Sequence, residues 1–153
     1  MLKEGDKAPG FTLNNEENQD IRLSDFKGKK VVIYFYPKDD TPGCTKEACS
    51  FRDVYDDILD VGAVVIGISA DNSSSHQKFK NKHTLPFYLL TDADHSVIES
   101  YGAWQEKKMF GKTYMGIARS TFIIDENGTI IKVYQKVKPD DHGEEVLKVL
   151  KNE

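Results

Sequence analysis

Val31-Val32-Ile33-Tyr34-Phe35-Tyr36, continued directly by Pro37-Lys38-Asp39-Asp40-Thr41-Pro42-Gly43-Cys44-Thr45-Lys46-Glu47-Ala48-Cys49, decides how the rest of the chain reads. The first six residues are apolar, β-branched and aromatic without interruption, the pattern of a strand buried on both faces. The punctuated turn that follows leads into a helical pattern over about Thr41 to Asp60. Thr41 suits the N-cap and Pro42 the first helical position, so Cys44 falls at the third. The Thr41 hydroxyl is expected to accept from the Cys44 amide. A sulfur there feels the positive end of the helix dipole and free amide groups, which favour thiolate over thiol. Cys44 is therefore placed as a nucleophile.

The second cysteine of the chain lies five residues on. Ideal helix geometry rotates Cys49 about 140° from Cys44 and lifts it about 7.5 Å, a Cα separation of roughly 8.6 Å. A disulfide needs Cα atoms within about 7 Å. Either the two never pair, or the first turns of the helix unravel for them to do so. Cys44, Ala48, Phe51, Tyr55 and Ile58 share an apolar stripe, while Cys49 sides with Arg52, Asp53 and Asp56 on the wet flank as a reachable thiol.

Outward from this stretch, residues 5–23 read as an N-terminal hairpin; Gly62 ends the helix over 41–60, and 63–69 read as a second buried strand. Ser73 to Lys82 reads as an amphipathic helix capped by Ser73 or Ser74, Pro86 to Thr91 as a short strand, and Ser96 to Tyr101 as a short helix. Residues 102–116 read as a loop in which Trp104, Met109, Phe110, Tyr114 and Met115 cover the sheet, with lining of the approach to the thiol as the competing reading. Thr121–Ile124 and Thr129–Val137 form a hairpin about Asn127-Gly128, and Asp140 to Lys151 closes the chain as a helix. The order predicts one α/β domain over residues 1–153, a mixed sheet with helices on both faces and an antiparallel edge.

Composition bounds the function. Twenty-one basic and 25 acidic residues give a net charge of −4, which points away from nucleic acid and anionic membranes. Two cysteines in 153 residues are too few for a secreted disulfide scaffold. The first residues carry no apolar signal core, and no apolar run approaches the roughly 18 residues of a membrane span. A cytoplasmic protein with working thiols is expected. His76, His83, His95 and His142 are scattered among polar residues and are assigned no chemistry. No glycine motif for a nucleotide and no set of metal ligands is visible, so no cofactor is expected.

Pro37-x-x-x-Thr41-x-x-Cys44, with Glu47 and Cys49 after it, resembles the active-site motif of the peroxiredoxins, and Asp40-Thr41-Pro42-Gly43-Cys44-Thr45 resembles their bacterioferritin-comigratory, or Q-type, branch. The resemblance extends to Gly5-Asp6-Lys7-Ala8-Pro9, to Lys108–Met115 and to Arg119-Ser120-Thr121-Phe122-Ile123-Ile124-Asp125. It implies a thioredoxin-like fold and a thiol-dependent peroxidase. It makes Cys44 the residue whose thiolate attacks the peroxide and Cys49 the one that resolves its sulfenic acid as an intramolecular disulfide, recycled by thioredoxin. It also implies that Arg119 lies against the sulfur, that the Thr41 hydroxyl bonds the peroxide, and that Pro37 shields the sulfur. Glu47 would orient Arg119, with an exposed helix carboxylate as the competing reading. Hydrogen peroxide and organic hydroperoxides are the implied substrates, and a monomer, with at most a weak dimer, the expected state. A redox switch using the same disulfide and a protein disulfide reductase are the alternatives from other classes.

Overall fold

The computed structural model describes residues 2–152. Two short strands, β1 (Thr12–Asn14) and β2 (Asp20–Arg22), open the chain and β3 (Lys30–Phe35) follows. Helices α1 (Pro42–Asp53) and α2 (Tyr55–Asp60) lead to β4 (Ala63–Ser69), then α3 (Ser73–His83), β5 (Tyr88–Thr91) and α4 (Ser96–Ser100). A hairpin of β6 (Trp104–Met109) and β7 (Lys112–Ile117) precedes β8 (Ser120–Ile124), β9 (Ile130–Gln135) and α5 (His142–Leu150). Seven strands form one mixed sheet in the order β2-β1-β5-β4-β3-β8-β9. β3, β4 and β5 run parallel, and β8 is antiparallel to β3.

The unbroken apolar run of β3 is explained by burial on both sides. Val32, Tyr34 and Tyr36 point to a core shared with α1, α2, α3 and α5, whereas Val31, Ile33 and Phe35 point to one shared with α4. The stripe Cys44, Ala48, Phe51, Tyr55, Ile58 is buried throughout in the first of these cores. The rings of Tyr34 and Phe51 meet at a centroid distance of 4.9 Å, an aromatic contact worth about 0.5–1.5 kcal/mol beyond its area. Helix α5 lies unusually close to α1: a Cβ on Gly143 would stand 2.2 Å from the Ser50 carbonyl oxygen. The Gly143 amide also donates to Ser50 Oγ at 3.0 Å.

Four expectations need correction. The helix over 41–60 is two helices, broken at Val54, whose amide turns back to the Phe51 carbonyl at 3.2 Å in a tighter three-residue turn. Helix α3 is capped by Asn72, whose side chain accepts from the Ser75 amide at 2.8 Å, rather than by a serine. Residues 104–117 are a two-stranded hairpin, not a loop. Its turn places Phe110 and Gly111 at φ 52° and 76°, the paired positive angles of a tight primed turn. Of the five apolar residues expected to cover the sheet, Trp104 packs against the core, but Phe110 is 96% exposed, and Met109, Tyr114 and Met115 are exposed with it. Finally, His76 and His142 are buried and hydrogen-bonded rather than lying among polar surface residues. Among the described residues no helix is long and apolar enough to cross a membrane.

Candidate active site

β3 delivers the chain to the carboxyl edge of the sheet, where α1 begins with Thr41 as N-cap and Pro42 at its first position. Cys44 is the third residue of α1 and 1% exposed. Thr41 adopts the extended cap conformation, yet its hydroxyl does not accept from the helix. It donates instead to the Lys38 carbonyl at 2.8 Å, which corrects the expected cap bond to Cys44. In the first turn the amides of Gly43 and Cys44 have no carbonyl four residues back within the helix. They face the helix start as donors.

Sheet register explains the arrival of Arg119. Ser120 pairs with Phe35, so the residue before Ser120 lies just past the end of β3, beside the loop into α1. Arg119 Nη2 donates to Cys44 Sγ at 3.3 Å and Nη1 to Glu47 Oε1 at 2.7 Å. A Cβ on Gly43 would lie 3.1 Å from that Nη2, so the glycine leaves the guanidinium room to reach the sulfur. Burial works against the Arg119 charge, but Glu47 and Cys44 outweigh it and hold the group above its usual range. Glu47 is fully buried, which removes the reading of it as an exposed carboxylate. Burial pushes its carboxyl up to about 7, against the pull of Arg119. Its Oε2 and the nearby buried Tyr34 hydroxyl have no hydrogen-bond partner among the described residues.

The structure thus brings together Cys44, Arg119 and Glu47, with Thr41 immediately before the helix. Pro37 stands exposed where β3 ends. Cys49 is half-buried on the same unbroken helix as Cys44, and both are free thiols. Sequence reasoning missed Lys107. It lines a depression of about 210 Å³ with Gln105, Arg119 and Lys136, and burial together with Arg119 pushes its ammonium down. The stretch that carries it read as a loop, and only the pairing of β6 with β7 gives it a fixed place.

The profile of the AhpC/TSA family matches residues 4–133. The chain belongs to that family. Within it, the chain is 52% identical over 148 residues to peroxiredoxin Bcp of Bacillus subtilis, covering 97% of this chain and 94% of the relative. It is 45% identical over 150 residues to peroxiredoxin Bcp of Escherichia coli, covering 98% and 96%. Among solved structures, a cysteine-to-serine variant of Xylella fastidiosa PrxQ superposes with a TM-score of 0.94 at 33% identity, covering 99% of this chain and 97% of that one. The Xanthomonas campestris bacterioferritin comigratory protein, studied for alkyl peroxide reduction as a trapped intermediate and ligand complex, gives 0.88 at 35%, covering 93% and 90%. The fold of this peroxiredoxin is accordingly thioredoxin-like, a mixed sheet flanked by helices.

Proposed function

We propose that this peroxiredoxin is a thiol-dependent peroxidase in which Cys44 attacks the peroxide and Cys49 resolves the product. The observation that carries the reading is the Arg119 guanidinium at 3.3 Å from the Cys44 sulfur, at the start of a helix. The thiolate attacks one oxygen of ROOH. The O–O bond breaks, the departing oxygen takes a proton and leaves as ROH, and Cys44 becomes a sulfenic acid. Arg119 and the first-turn amides donate to the charge that develops on the oxygens. Because the Thr41 hydroxyl already donates to Lys38, its lone pairs are left to accept from the peroxide O–H, and this orients the substrate. Glu47 holds the other arm of the guanidinium and Pro37 shields the sulfur from bulk water.

The first turns of α1 then unwind, the Cys49 thiol attacks the sulfenic sulfur, and water leaves as the Cys44–Cys49 disulfide forms. A dithiol restores both thiols by exchange and is itself oxidised to a disulfide. We assign that role to thioredoxin, and hydrogen peroxide and organic hydroperoxides as substrates. Both thiols lie on one helix, so a monomer completes the cycle. A pair that must be re-reduced each turn fits a reducing compartment, and we place the protein in the cytoplasm. The test is NADPH-coupled peroxide consumption with thioredoxin and its reductase. Sustained turnover is expected. Oxidation without recycling would support a redox switch instead, and insulin reduction without peroxide turnover a disulfide reductase.

A further inference from the structure

The loop 37–41 carries the peroxide-binding hydroxyl and sets where α1 begins, yet little of what holds it lies on α1 itself. Asp39, at its centre, is buried. Its Oδ1 accepts from the Tyr36 hydroxyl at 2.5 Å, and its Oδ2 from Ser75 Oγ at 2.8 Å. That same Oδ2 lies 2.7 Å from His76 Nδ1. The Asp39 amide donates to Asp71 Oδ2 at 2.7 Å. On the other side of the ring, His76 Nε2 lies 3.0 Å from the Leu90 carbonyl. A carbonyl only accepts, so Nε2 carries a proton. A second proton then has to sit between Nδ1 and the carboxylate, because two lone pairs at 2.7 Å would repel.

We propose that Asp39 and His76 are a positioning pair for the peroxide step, fixing the loop so that Thr41 and the first turn of α1 stand correctly against the sulfur. This rests on the peroxidase reading above. His76 is 0% exposed on the inward face of α3, and its hydrogen-bond partners are Tyr36, Asp39 and Leu90 rather than Cys44 or Arg119. It acts only through the loop. A buried hydrogen-bonded polar pair adds little net stability over an apolar replacement of the same shape, so its presence here is better explained by the geometry it enforces. The remaining side-chain ties of the loop to α3 are those of Asp40 to Lys82 at 2.9 Å and to His83 at 3.3 Å. They are exposed and weak. Asp40 itself sits at φ 59°, and the buried neighbour is what holds the chain in that turn. With the loop anchored from α3, the unwinding that lets Cys44 reach Cys49 starts after Thr41 instead of dragging the loop along.

The experiment compares wild type with D39N and H76N, and with Y36F, which removes one hydroxyl from the same carboxylate. Three rates are read: reaction of reduced Cys44 with hydrogen peroxide, formation of the disulfide, and reduction by thioredoxin. Misplacing the site should cost the peroxide step about 10- to 100-fold in D39N and H76N, with a smaller loss in Y36F. The KM for thioredoxin should stay where it is. Folded D39N and H76N proteins with wild-type peroxide rates would overturn the pair's role. So would equal losses at the peroxide and thioredoxin steps. If D39N and H76N fail to fold, Y36F decides: an unchanged peroxide rate overturns the proposal. Wild-type protein that consumes no peroxide overturns the peroxidase reading, and this one with it.

Discussion

Arg119 and Cys44 are 75 positions apart in sequence, and the guanidinium nitrogen of one stands 3.3 Å from the sulfur of the other. The contact exists because β8 runs antiparallel to β3 and ends its register at Phe35 opposite Ser120. The donor is a fork: one arm goes to the sulfur, the other to Glu47.

Replacing Arg119 by Lys should therefore fail to preserve activity, since an ammonium cannot reach both groups in a fixed plane. R119K and R119A should both lose about 100-fold or more in the peroxide step, R119A the more. Stopped-flow mixing of reduced protein with hydrogen peroxide reads this, and a wild-type rate in R119A would remove Arg119 from the site.

Glu47 gives the site a pH dependence. Its carboxyl is raised from 4.5 to about 7 by burial, against the pull of Arg119. Between those values the unfolded chain has lost the proton that the native state still holds. Stability contributed at this position is thus highest at acid pH and falls as pH rises toward 7. Below about 7 the protonated carboxyl no longer balances Arg119, so the peroxide rate should show a titration there. E47Q should flatten both profiles. Urea melts and peroxide rates from pH 5 to 8 check it, and an unchanged slope in E47Q would contradict it.

The packing of α5 on α1 is equally testable. G143A places a Cβ 2.2 Å from the Ser50 carbonyl oxygen, a clash with backbone. Overpacking of this kind costs about 1–3 kcal/mol, so the thermal midpoint should fall. A midpoint equal to wild type would mean that the two helices are not held this closely.

Phe110 should behave in the opposite way. At 96% exposure it contributes no core contact, and F110S should change stability by no more than about 0.5 kcal/mol. A large loss in a denaturant melt would show that the hairpin tip packs against the body of the protein after all.

These residues also show which features the sequence makes legible. The run Val31–Tyr36 and the Thr41-Pro42-Gly43 start of α1 are local signals, and the stripe from Cys44 to Ile58 follows from helical spacing alone. The approach of Arg119 is not local; it depends on a strand pairing between distant segments, and only a family resemblance anticipates it. The β6–β7 hairpin was hidden because both its faces are largely wet, so no alternation of apolar residues marks it, and Phe110-Gly111 is not a usual turn signal. His76 was hidden for another reason. Helix α3 buries only His76 and Phe79 among lysines and serines, so its inward face is too narrow to stand out.

The most direct test of the central claim is the mass of the intact reduced protein after one equivalent of peroxide. Wild type should lose two hydrogens, with the new bond mapping to Cys44 and Cys49. C49S should instead gain one oxygen on Cys44 as a trappable sulfenic acid, and C44S should remain unmodified and consume no peroxide. A C44S protein that still turns over peroxide, or oxidation that appears first on Cys49, would contradict the account.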